Sequence, residues 1–270
     1  MKRVTVVQFV MVLITAVLMV SPASATIVTL TDTNSTALID PESQSGMYSW
    51  LVDGNSVLYQ QWFWYRVGSN PEAPISALGS PTVTQPTPDK ATLVYTGTGF
   101  TIQVEYDLTG GTPGSLISDI AETIRVERVG AGSLDFHFFQ YSDFDLGPSA
   151  LDYVKIDPSL RFVNQIPGAG GGLIMSETVV TPKPSHAEAG AWGSTLNKLQ
   201  DGVWSNLNDN LVAGLADVTW AFQWDKMISS TAPLVISKDK ILGPVPEPTT
   251  VLLTGGLLLF LGRKLRRRAA

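Results

Sequence analysis

Strict period-two alternation constrains this chain more than any other feature. Phe100, Ile102, Val104 and Tyr106 alternate with Thr101, Gln103, Glu105 and Asp107. Successive strand side chains point to opposite faces, so the stretch has one buried and one wet face, as in antiparallel sheet. Leu93 and Tyr95 alternate with Thr92 and Val94 just before it, and Thr96-Gly97-Thr98-Gly99 turns the chain. Residues 91–107 therefore form a hairpin. Residues 119–129 repeat the pattern, with Ile120, Ile124 and Val126 inward. Glu122 falls on that same apolar face, where a carboxylate needs a partner or a raised pKa; a hydrated strand end is the commoner outcome.

Short apolar runs bounded by turn residues recur at 27–30, 47–52, 57–67, 134–146, 152–165, 173–180, 217–228 and 234–237. Residues 71–89 hold five prolines and read as a loop or edge connection. One helix is expected, over 184–202. Ser185 and Glu188 have capping-box spacing, and Ala189, Trp192, Leu196, Leu199 and Val203 recur at steps of three and four. Gly190 and Gly193 each cost it roughly 1 kcal/mol relative to Ala, so it needs a sheet to lean on. Residues 204–215 continue as a broken helix or a loop. The expected fold is mainly β: a large antiparallel β-sandwich or super-sandwich with one short helix.

The chain has no cysteine, so neither disulfides nor thiol chemistry enter. Of 18 Lys and Arg, two lie in the first 25 residues and five in the last 27; of 24 Asp and Glu, only Glu247 lies in either. The region between carries about −12, which argues against nucleic acid and for an acidic exterior protein.

Both ends are specialised. Lys2 and Arg3, an apolar run over 4–20, and Ala23-Ser24-Ala25 form a secretory signal with cleavage after Ala25. At the other end, Val245-Pro246-Glu247-Pro248 is stiff and extended, because each proline fixes its own φ and restricts the residue before it. An apolar run over 249–262 follows, short of the ~20 residues of a stable span. Arg263, Lys264, Arg266, Arg267 and Arg268 then hold the terminus on the cytoplasmic side. Motif, short apolar helix and basic end in this order resemble the PEP-CTERM sorting signal. That resemblance implies a Gram-negative bacterium, transit through the secretion translocase, a transient inner-membrane anchor, recognition by an exosortase, and release to the outer envelope or extracellular matrix. It divides the chain into a leader (1–25), a β-rich extracytoplasmic domain (26–243) and a sorting signal with a short transmembrane helix (244–270).

Two stretches of the central domain carry candidate binding residues. In 58–66 a strand puts Trp62, Trp64 and Arg66 on one face and Tyr59, Phe63 and Tyr65 on the other. In 134–146 Phe136 and Phe138 make an ordinary core face, while Asp135, His137, Phe139, Tyr141, Asp143 and Asp145 make the opposite one. Rings interleaved with carboxylates and a histidine suit a glycan, whose apolar faces stack on aromatics and whose hydroxyls donate to carboxylates. Asp143 and Asp145 also offer two oxygen ligands to calcium, few for that ion, and no other cofactor is indicated. His137 and His186 alone support no histidine metal site. The glycine run at 168–172 lacks the Gly-Lys-Ser/Thr ending of a phosphate loop. No nucleophile elbow, zinc motif or paired-acid motif marks a catalytic residue. The leading expectation is a non-enzymatic exported envelope or matrix protein binding extracellular polysaccharide. The alternatives are a glycosidase or lyase acting on that polymer, which needs carboxylates converging in a cleft, and a purely structural surface protein.

Overall fold

The computed structural model describes residues 26–168 and 172–244. The leader with Ala23 and Ala25, the motif Val245–Pro248, the apolar run after it and the basic residues from Arg263 to Arg268 lie outside the described residues, as does the middle of the glycine run. Among the described residues no helix is long and apolar enough to cross a membrane.

The architecture is mainly β, two antiparallel sheets and one short helix. In chain order the first strands are β1 (Val28–Asp32), β2 (Ser35–Asp40), β3 (Gly46–Val52), β4 (Asn55–Ser56), β5 (Leu58–Val67) and β6 (Ala73–Pro74). After a 3-10 turn (Ile75–Leu78) come β7 (Thr82–Thr87), β8 (Lys90–Gly97), β9 (Phe100–Gly110), β10 (Ser118–Arg128) and β11 (Ser133–Phe144). Then follow β12 (Asp152–Ile156), β13 (Phe162–Pro167), β14 (Leu173–Thr181), β15 (His186–Ala191), the helix α1 (Ser194–Gln200), β16 (Val212–Ala216), β17 (Val218–Ser229) and β18 (Leu234–Pro244).

Sheet A runs β1-β2-β3-β5-β11-β17-β15, with β4 beside β3 and β6 beside β5; sheet B runs β16-β12-β13-β14-β18-β10-β9-β8-β7. The pairings are antiparallel apart from a short parallel contact between β3 and β5. The alternation legible at 91–107 becomes the β8–β9 ladder, with Leu93, Tyr95, Ile102, Val104 and Tyr106 buried. The proline-rich stretch yields β7, exposed throughout at the edge of sheet B, where a missing N–H costs least.

Between the sheets lies an aromatic core. Phe63 stacks on Phe138 with centroids 5.4 Å apart, and Tyr65 lies parallel to Phe136 at 6.0 Å. Trp50, Trp62, Trp64, Trp220 and Trp224 are fully buried. An aromatic side chain covers about 150–250 Å², an upper bound of roughly 4–6 kcal/mol each, which replaces what disulfides supply elsewhere.

Two expectations are corrected. The helix is shorter and starts later, because His186–Ala191 is a strand paired with β17, and α1 begins only after Gly193, whose φ of 80° breaks the strand. Tertiary pairing outweighs the helical spacing there, because Ala187, Glu188 and Ala189 are all buried in the sheet. Glu122 is not at a hydrated strand end but buried in the core, bound by Lys238 and by Lys240 at 2.6 Å.

Candidate active site

The central strands β5, β11 and β17 bring three carboxylates together at one end of sheet A. Asp143 sits at the end of β11, Asp145 two residues beyond it, and Asp217 just before β17 starts antiparallel to β11. All three line a cavity of about 300 Å³ with Tyr59, Ala150 and Trp192. Tyr59 is there because of a β-bulge. Asp143 faces Gln60 across the β5–β11 ladder, but Phe144 faces Leu58, so Tyr59 is the extra residue and is thrown out to solvent. Trp192 follows β15 and donates its backbone N–H to Asp217 O at 2.7 Å, which fixes the chain beside Asp217, and its exposed side chain belongs to the cavity wall.

The carboxylates perturb one another. Burial, with Asp217 and Asp145 next to it, pushes the Asp143 carboxyl up to about 7. Tyr141 Oη donates to Asp143 Oδ2 at 3.5 Å, which opposes that rise without cancelling it. Burial raises Asp145, and burial together with Asp145 raises Asp217. Asp152, fully buried behind them, is raised by burial although Gln165 Nε2 donates to it at 2.8 Å. A buried acid protonated near neutrality beside more exposed carboxylates is what general acid–base chemistry needs.

The other predicted residues gather a few residues back along the same strands. Register sets Trp62 opposite Tyr141, Trp64 opposite Phe139 and Arg66 opposite His137, so the two candidate faces are neighbours. They do not form an open groove. Trp62 lies edge-on to Tyr95 of sheet B and Trp64 edge-on to Tyr141, and all four rings are buried, so no ligand stacks on them. Arg66 is consumed by structure. Its guanidinium binds Glu72 Oε1 at 2.6 Å, Ser205 O at 2.5 Å and Asn206 Oδ1 at 2.6 Å, which pins the segment before β16 onto sheet A. Beside it Asp225 accepts from His137 Nδ1 at 2.5 Å and lies 3.7 Å from His186 Nε2, so both histidines of the chain meet at one carboxylate. Asp135 lies 3.4 Å from His137 Nε2 and is half exposed. Among the described residues no group of three or more His, Asp and Glu is arranged to hold a metal.

Sequence reasoning found Asp143 and Asp145 but missed Asp217, Trp192 and the turned-out Tyr59. No motif marks Asp217 or Trp192, since both join the cleft through the β15–β17 pairing. Nothing in the Leu58-Tyr59-Gln60 triplet announces a bulge.

No protein-family model matches the chain, and no curated protein matches it. Solved structures do. A bacterial glucoamylase complexed with acarbose superposes over 89% of this chain with a TM-score of 0.57 and 10% identity; the match spans 35% of the glucoamylase, about a third of its length. The Slr1438 protein of Synechocystis superposes over 82% of this chain and 97% of its own, with a TM-score of 0.55 and 10% identity. The polysaccharide lyase BACCELL_00875, with a TM-score of 0.49 and 11% identity over 82% of this chain and 34% of its own, is too loose a match to argue from. At these identities the likeness shows the fold alone. The leading expectation of a non-enzymatic envelope protein is nevertheless overturned. The cleft holds the converging carboxylates that the enzymatic alternative required.

Proposed function

We propose that the chain is a carbohydrate-active enzyme that cleaves glycosidic bonds in the Asp143 cleft. The observation that carries this reading is the buried Asp143, protonated near neutral pH, beside Asp145 and Asp217 in a cavity walled by the exposed rings of Tyr59 and Trp192. Tyr59 and Trp192 stack on the apolar faces of sugar rings. Asp143 gives its proton to the glycosidic oxygen as the bond from the anomeric carbon breaks and its electron pair passes to that oxygen. Water adds to the anomeric carbon, and its proton goes to Asp217 or Asp145, the carboxylates that ionise more readily. The sorting signal supports a setting in which the enzyme is exported through the secretion translocase, held briefly at the inner membrane and released by an exosortase to the extracellular polymer.

The test is release of reducing ends from a panel of extracellular polysaccharides by the full chain and by Asp143→Asn. Turnover in the wild type should fall by about 10²–10⁴ in the variant, the usual worth of a general acid. It should also decline on the alkaline side of about pH 7 in the wild type, as Asp143 loses its proton. Wild-type turnover that survives Asp143→Asn unchanged overturns the reading.

A further inference from the structure

A second cavity, of about 640 Å³, opens on the other side of Tyr59, which lines both. We propose that it is a run of subsites for an uncharged glycan chain, so that the substrate is a neutral oligo- or polysaccharide lying across Tyr59. This rests on the acid–base reading of the Asp143 cleft and names its substrate class.

The chemistry of the wall carries the inference. Gln44, Gln60 and Gln200 line the cavity with Tyr48 and Tyr59. Gln60 is cross-strand neighbour to Asp143, so the amide cavity and the acidic cleft meet at one rung of the β5–β11 ladder. Gln60 is only 8% exposed, and its Nε2 donates to Gln44 O at 2.5 Å, which fixes the side chain. Its carbonyl oxygen has no hydrogen-bond partner among the described residues, and the residue lines the cavity. Gln200, from the last turn of α1, donates Nε2 to Gln44 Oε1 at 3.0 Å, leaving its own carbonyl and the Gln44 NH₂ unengaged among the described residues. Two acceptors and a donor on these amides, beside two phenols, match sugar hydroxyls, which donate and accept at once.

Charge sets the class. The charged residues lining the two cavities are Asp40, Asp143, Asp145 and Asp217; no Lys or Arg lines either. A uronate, sulfate or phosphate on the glycan would meet these carboxylates without a counter-cation. Like charges about 4 Å apart cost roughly 1 kcal/mol even at the dielectric of water, and more in a cleft. Each cavity falls within the size range of small-molecule sites, so sugar units have room on both sides of Tyr59.

The probes are neutral malto-, cello- and laminari-oligosaccharides of two to six units, with oligogalacturonates and cationic glucosamine oligomers as charged arms. Binding to the full chain is measured by calorimetry, and turnover by product analysis. Affinity for one neutral series should rise with length at least tenfold. Gln44→Ala with Gln200→Ala should flatten that rise, and Asp143→Asn should retain it while abolishing turnover. Tighter binding of the galacturonates or of the cationic oligomers overturns the inference, as does a length dependence indifferent to the two glutamines. The two readings fail separately. Glutamine-dependent neutral binding without Asp143-dependent turnover sinks the enzyme and keeps the glycan site, whereas Asp143-dependent turnover of a uronate polymer sinks only the neutral substrate.

Discussion

Asp143 shows at the scale of one residue how a site can be built against stability. Its carboxyl is raised to about 7 in the folded chain, against ~4 in an unfolded one. Between those values the native state holds a proton that the unfolded state has lost, so its stability falls as pH rises through the window. The penalty is complete above about pH 7 and absent below about pH 4. Asp143→Asn mimics the protonated acid, so it should raise the Tm at pH 8 by several degrees and leave it unchanged near pH 3. Calorimetric melts of both proteins at the two pH values check this; an equal shift at both would remove ionisation as the cause. Arg66 is the opposite case. Its guanidinium is buried and its terminal nitrogens are engaged with Glu72, Ser205 O and Asn206, so it is not presented to a ligand.

At the scale of elements, strand register decides which charges meet. Glu122 on β10 faces Lys238 on β18, and Glu177 on β14 faces Lys240 on the same strand. The four are buried in a closed group, with Lys240 Nζ 3.3 Å from Glu177 Oε2 and Gln140 of sheet A donating to Glu177 at 2.9 Å. Burial, with Lys240 adjacent, holds the Lys238 ammonium well below its usual range, and burial raises Glu177. Breaking a buried pair costs about 3–5 kcal/mol because a lone charge stays behind, whereas replacing both members by apolar groups is often near neutral. Glu122→Met or Lys238→Met alone should therefore destabilise by that amount, and the double variant by less than either single change. Urea unfolding of the four proteins measures the coupling; additive losses would mean the pair is not a unit.

On the scale of the whole molecule, the sandwich places its two cavities at the end of sheet A where β11 ends and β5 and β17 begin, while the aromatic core holds the sheets together without disulfides. The proposed sorting signal needs no contact with that body to be recognised, since its prolines restrict the local backbone without help from a fold. Glu247→Ala with Pro248→Ala should leave the protein full-length in the membrane fraction of its host. Mass spectrometry of secreted and membrane-bound protein decides this, and trimming and release of the variant would end the sorting reading.

Period-two alternation by itself determined strands such as β8, β9 and β10, since it is a property of neighbouring residues and one buried face suffices to produce it. It also placed Asp143 and Asp145 beyond the aromatic run of β11, and the extreme composition of the two ends was legible for the same local reason. Tertiary structure decided the rest. Whether Trp62 and Trp64 stack on a ligand or fill the core depends on what covers them, and a strand pattern carries no information about that. Pairing with β17 turned an expected helical stretch into β15 and brought Trp192 to Asp217. A one-residue mismatch between β5 and β11 sent Tyr59 into solvent, between the acids and the glutamines. Glu122 found its lysines 116 and 118 residues away along the chain. These are long-range pairings, and their free energy comes from the packed sheet as a whole, so no local stretch of sequence contains them.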